Sequence, residues 1–218
     1  MYPKRFILYQ NVKNRRHSLE GYHGTRPSSV KSILKTKSFT VSQFIIGKDF
    51  NIQSNQSLPN DLGQGLYLFI DDEVAGYSGL ESAKNYARIY RSNSNKIGVI
   101  SFEVDSRKLK VLDLSEPESK KFFNLYKQQT YNQIKCMLDR FKQNRSFKRF
   151  NLDGIFLEHI LQYHPFFKKM NAVTYESYVP TVPEYPRPLS GVENSREFCL
   201  RDMNLIDWTK TKEVYHGF

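Results

Sequence analysis

The apolar residues of this chain come in short runs of strand length, set between a few stretches with helical spacing, and this pattern is what most limits its fold. Leu66-Tyr67-Leu68-Phe69-Ile70 is one such run, and residues 97–104 and 109–114 alternate like two more. Residues 19–25, 153–157, 172–178 and 197–201 read as further strands, with Leu205-Ile206 continuing or pairing beside the last. Helical spacing holds over 79–91, where Leu80, Ala83, Ala87 and Tyr90 recur at threes and fours, and over a long candidate from 116 to 148. Pro27-Ser28-Ser29 opens another helix carrying Val30, Ile33 and Leu34, and a short one is expected around 158–167. Several strands interrupted by few helices, without an internal repeat, predict the α+β class.

A chain of 218 residues has room for one sizeable core and little more. We therefore read a basic arm over 1–18 and a single domain over 19–218, with a basic helical insertion at about 116–150. Hydrophobic residues at 39% supply enough apolar surface to offset the ordering entropy, so the chain is expected to fold. No stretch approaches the roughly 20 apolar residues of a spanning helix, and Phe6-Ile7-Leu8-Tyr9 is too short for the core of a secretion signal. A cytoplasmic protein without a membrane segment is expected. Cys136 and Cys199 form no metal-type pair and suit a reducing compartment. The histidines His17, His23, His159, His164 and His216 show no ligand spacing, so no metal is expected, and His159 and His164 are read as structural.

With 33 Lys+Arg against 22 Asp+Glu, the formal charge of +11 favours acidic partners. Much of the excess is local: residues 120–150 hold nine Lys/Arg against one acid, Asp139. There Lys120, Lys121, Lys127, Lys135, Arg140, Lys142, Arg145, Lys148 and Arg149 interleave with Phe122, Phe123, Tyr126, Tyr131, Phe141 and Phe147. Cations that neutralise phosphates, together with rings that stack on bases, compose a single-strand nucleic-acid surface. An amphipathic helix with its rings turned inward has the same composition.

Three pieces carry the candidate chemistry. Gly21-Tyr22-His23-Gly24-Thr25-Arg26 comes first. Gly63-Gln64-Gly65-Leu66-Tyr67-Leu68-Phe69 follows, with Ser82-Ala83-Lys84-Asn85-Tyr86 behind it, and Arg196-Glu197-Phe198-Cys199-Leu200-Arg201-Asp202 comes last. In this order they resemble the diphtheria-toxin-like and poly(ADP-ribose)-polymerase-like branch of the ADP-ribosyltransferases, whose signature is a histidine, a tyrosine and a glutamate on separate strands. The resemblance touches residues 20–206. It implies two small, roughly perpendicular sheets around a cleft that binds NAD as co-substrate.

By that resemblance His23 bonds the adenosine ribose, Gly24 offers its backbone to the nicotinamide amide with Thr25 beside it, and Tyr67 and Tyr86 sandwich the ring. Ser82 donates to the amide oxygen. Glu197 is the catalytic carboxylate, stabilising the positive charge that develops on the ribose as the nicotinamide bond breaks. Two departures stand out: Leu68 intervenes before Phe69, and one extra residue separates Ser82 from Tyr86. Arginine-modifying relatives carry a Glu or Gln two residues before the catalytic glutamate, and here that position is Ser195, which argues against an arginine acceptor. Glu193 is assigned to the preceding loop.

Taken singly, each piece has an ordinary reading: a turn histidine, core tyrosines, a solvated strand charge. Taken together they predict a mono-ADP-ribosyltransferase acting on nucleic acid, RNA before DNA. A protein acceptor is the alternative, and a non-catalytic NAD- or nucleic-acid-binding module of the same fold is the second. Because uncontrolled NAD consumption harms a cell, a toxin or phage-defence effector held by an inhibitory antitoxin protein is expected.

Overall fold

The computed structural model describes residues 17–41, 43–52, 57–91, 96–141, 151–181 and 192–217. The chain runs through β1 (Ser18–Thr25), α1 (Pro27–Thr36), β2 (Leu66–Ile70), α2 (Gly79–Tyr90), β3 (Ile97–Asp105) and β4 (Val111–Asp113). It continues through α3 (Pro117–Phe141), α4 (Asn151–Tyr163), β5 (Ala172–Ser177), β6 (Ser195–Leu200) and β7 (Ile206–Gly217). The class is α+β. No described helix is long and apolar enough to cross a membrane.

Local chemistry accounts for several boundaries. Pro27 occupies the first turn of α1, where a missing N–H costs nothing, and Lys37 closes that helix in the left-handed region at φ 49°. Ser78 caps α2 by accepting the amide of Glu81, which stands three residues on, where a capping glutamate belongs. β2 has Leu66, Leu68 and Ile70 in one apolar layer and Tyr67 and Phe69 in contact with the others, the period-two split of a strand covered on both sides.

Among the described residues the strands form one mixed sheet of seven, in the order β4-β5-β6-β2-β1-β3-β7. Its two halves meet weakly. β2 pairs with β6 over five residues and β1 with β3 over eight, but β1 and β2 share a single registered pair, Tyr22 with Phe69. Where two separate sheets were expected, one array forms, and it narrows to one rung at the strands that carry His23 and Tyr67.

Residues 153–157, expected as a strand, are the first half of α4. Ile155, Phe156, Leu157, Ile160 and Leu161 are all buried, so this helix is covered all round and shows no amphipathic period. Gly154 makes the burial possible: a Cβ there would sit 1.7 Å from the carbonyl oxygen of Asn60. β7, read only as Leu205-Ile206, is a 12-residue edge strand whose exposed lysines protect the sheet from further pairing. The expected helix over 116–148 appears as Pro117–Phe141. It is no appendage, because Phe123 and Ile134 lie in the same core cluster as α4. The basic arm falls outside the described residues up to position 16.

Candidate active site

The sheet order places β6 beside β2, and their register sets Glu197 opposite Phe69 and Tyr67 opposite Cys199. Side chains that alternate along paired strands share faces, so Tyr67, Phe69, Glu197 and Cys199 point to one side. On β5, Tyr175 is the partner of Glu197, and Ser177 hydrogen-bonds its carboxylate. α2 brings Tyr86 over this floor, packed 5.7 Å from the ring of Phe69. The loop before β2 brings Asp61. Asp61, Tyr67, Tyr86 and Glu197 lie within electrostatic reach of one another. Each is walled in by protein yet keeps some solvent contact, as residues on the floor of a cleft do.

Glu197 is the chemical centre of this cluster. Burial first, and the negative charge of Asp61 second, push its carboxyl up to about 8, while the Ser177 hydroxyl pulls the other way. Among the described residues no Lys or Arg forms a salt bridge with it. A carboxylate enclosed without a cation is expensive to keep, and sites of that kind are where perturbed groups do work. Asp61 is also pushed upward, chiefly by burial.

Tyr67 has its hydroxyl committed. It donates to the carbonyl of Gly63 and accepts the amide of Leu62, both at 2.9 Å. The bonds fold the loop onto the ring. That loop is also anchored from behind, where Glu158 accepts the Gln64 amide at 2.5 Å and pairs with both terminal nitrogens of Arg201 at 2.5 and 2.9 Å. Gly63, at φ 83°, and Gly65 leave room for this: a Cβ would meet Glu158 at 2.4 Å or the Leu200 carbonyl at 2.4 Å.

His23 joins from across the seam. Strand alternation turns it to the side opposite Tyr22, where its ring meets the edge of Phe39 at 5.4 Å, and its Nδ1 bonds the Tyr67 carbonyl oxygen at 2.8 Å. The carbonyl faces β1 because Phe69, two residues on, pairs with Tyr22, and main-chain groups two apart point to the same edge. Desolvation lowers the imidazole to about 4, with Arg91 nearby adding to the effect. The ring is therefore neutral at pH 7, with its proton on Nδ1 and a lone pair on Nε2.

Other expected residues have structural partners. Gly24 is buried against α2, and a Cβ there would lie 2.0 Å from the Ala83 carbonyl oxygen, so its bareness serves helix packing. Thr25 is buried at the end of β1. Ser82 is buried on α2 with its hydroxyl donating to the Ser78 carbonyl at 2.8 Å. Ser195 shares a hydrogen bond with Ser177, and Glu193 is exposed before β6. Both nitrogens of His159 are bonded, one to the Lys48 carbonyl and one to Tyr126, and its ring stacks on Phe50 at 3.8 Å.

On α3, Phe122, Phe123 and Tyr126 pack into the core rather than toward solvent. Lys127 pairs with Asp153 at 2.8 Å and lies over the Phe123 ring, whereas Lys120, Lys121 and Lys135 are exposed. The side chain of Arg140, and Lys142, Arg145, Lys148 and Arg149 altogether, lie outside the described residues. No group of three metal-ligating side chains is present among the described residues.

Sequence reading missed Asp61, Arg26 and Arg91. Arg26 donates from Nε to the Arg91 carbonyl at 2.8 Å, and Arg91 reaches the Tyr86 hydroxyl at 3.3 Å. Two exposed guanidinium groups thus stand side by side at the cleft rim. Only the placement of Arg26 directly after the His-Gly-Thr piece hinted at this. An open depression of about 370 Å³, lined by Ser18, Glu103, Asp105 and Lys210 among others, lies at the opposite end of β1 from His23 and contains none of these groups.

Compared with known protein families and with curated proteins, the chain matches none.

Proposed function

We propose that the chain is an NAD-dependent mono-ADP-ribosyltransferase in which Glu197 is the catalytic carboxylate. The observation that carries this reading is Glu197 itself, an acid without a cationic partner, held on a cleft floor with Tyr67 and Tyr86 around it. The floor is acidic and the rim at Arg26 and Arg91 is basic. NAD has the opposite distribution, with a cationic nicotinamide and an anionic pyrophosphate. The halves of the sheet that meet at one rung suit the split pair of sheets that the resemblance implies.

In the reaction the bond between nicotinamide and the ribose breaks, nicotinamide leaves neutral with the bonding pair, and the acceptor attacks the same carbon and gives up its proton. Ionised Glu197 stabilises the positive charge on the sugar, while neutral His23 accepts a hydrogen bond from a ribose hydroxyl through Nε2. Tyr67 and Tyr86 supply flat apolar surface for the departing ring. The tyrosine rings also exclude water from the breaking bond.

Nucleic acid, RNA before DNA, is the acceptor we favour. Support comes from the charge of +11 and from exposed Lys120, Lys121 and Lys135, although the inward aromatics of α3 remove part of the stacking surface that the composition promised. A toxin or defence role under an inhibitory partner goes with this reading. The test is mass spectrometry of RNA, DNA and protein fractions after expression, native chain against Glu197→Ala. Mass added to RNA, with growth arrest that the mutant relieves, is expected. Label only in protein removes the nucleic-acid acceptor, and no label or nicotinamide in any fraction removes the transferase.

A further inference from the structure

Asp61 stands in the loop that enters β2. In the fold its carboxylate turns back on that loop, accepting the Leu62 amide at 3.1 Å and hydrogen-bonding the Tyr67 hydroxyl. The Leu62 amide is shared, since it also donates to the Tyr67 hydroxyl, and that hydroxyl goes on to the Gly63 carbonyl. Asp61, Leu62, Gly63 and the Tyr67 ring therefore form one closed unit. Glu158 and Arg201 brace it from the side away from the cleft. On the cleft side, the negative charge of Asp61 acts on Glu197.

We propose that Asp61 is a positioning residue for the transferase reaction: it holds the Tyr67 ring at the cleft and sets a second negative charge beside Glu197, beneath the cationic ring of the substrate. This rests on the transferase reading above. Among the described residues, the groups that face the pair are Tyr67 on β2, Tyr86 on α2, Cys199 on β6, Ser177 on β5 and Asp153 on α4. Asp153 is itself paired with Lys127. None of these brings a positive charge to the two carboxylates. Without a cation in the cleft, the pair keeps a proton at neutral pH, and an arriving nicotinamide cation displaces it. ADP-ribose, which lacks that cation, leaves the proton in place.

Calorimetry of the native chain at pH 7, in buffers of different ionisation enthalpy, reads this displacement without any variant. We expect protons released on binding NAD and none on binding ADP-ribose. Equal proton uptake or release for the two ligands overturns the proposal. In a second arm, Asp61→Asn moves the acid limb of nicotinamide release downward by about one pH unit. It also weakens NAD roughly tenfold at pH 8.5 while leaving ADP-ribose affinity unchanged. A merely structural role lowers both affinities together and leaves the pH limb where it was, which also overturns the proposal. Tyr67→Phe, which removes the link but no charge, is expected to lower turnover without moving the limb; a moved limb counts against the assignment. A native chain that neither binds NAD nor releases nicotinamide sinks the transferase reading itself, a result distinct from a chain that turns over with an unmoved profile in Asp61→Asn.

Discussion

The imidazole of His23 donates from Nδ1 to the carbonyl oxygen of Tyr67 across 2.8 Å, at the place where the strands that carry the two residues cease to pair. The bond fixes the tautomer, turns Nε2 outward as an acceptor and ties the first motif to the second. Because burial holds this histidine down to about 4, its proton count stays constant over the working range. Nitrogen-15 NMR should therefore show one histidine protonated on Nδ1 and not titrating between pH 5.5 and 8. A ring at this position titrating near 6.5 would contradict the assignment.

Glu197→Gln should abolish nicotinamide release, with a loss on the order of 100- to 1,000-fold in turnover, as for other groups aligned on a developing charge. The fold should gain from the same change. A carboxyl raised to about 8 in the folded chain from an ordinary value near 4.5 contributes stability below 4.5 that disappears as pH rises through 8. The melting temperature of the variant should thus equal the native one near pH 4 and exceed it at pH 9 by several degrees, on the order of 2 kcal/mol. Equal melting at both ends would mean the carboxylate is solvated.

Gly24 was read as a ligand-facing backbone, and α2 makes a stronger claim on it. Gly24→Ala places a Cβ 2.0 Å from the Ala83 carbonyl oxygen, a main-chain atom that yields only if the helix moves. A destabilisation of about 3 kcal/mol is expected, visible as a drop of roughly 6 to 12 °C in thermal melting. A variant that melts like the native chain would show that α2 tolerates the shift.

Arg196, next to the catalytic candidate, points the other way and neutralises three acids. It bonds Asp72 at 2.9 Å, Glu176 at 3.2 Å and Asp113. Arg196→Met leaves those carboxylates facing one another under cover, at a cost of about 3 to 5 kcal/mol. Lowering the pH toward 5 should recover part of the loss by protonating them. Denaturant melts at pH 8 and pH 5 would read it, and an identical deficit at both values would deny the ion network its role.

Much of the fold was legible where periodicity is clean. β2 has the predicted bounds and α2 nearly so, because one is a pure apolar run and the other has a capped start and a regular stripe. α4 was misread because a helix buried on every side looks like a buried strand. β7 was shortened because its exposed edge carries Lys210, Lys212 and Glu213 where an apolar alternation would have marked it. In the site, motif order brought Tyr67 and Glu197 to one face. Asp61 had no pattern to announce it, since its role comes from a loop folded back by bonds that no spacing encodes. The rings of α3 show the converse: their composition suited bases, and the core took them.

A sheet held at its middle by Tyr22 and Phe69 alone has two stiff plates and a compliant joint. Any molecule that touches both plates, as a bent dinucleotide between His23 and Glu197 does, acts as a mechanical splint. Its binding then adds to the cooperativity of unfolding as well as to the midpoint, merging two loosely tied melting units into one.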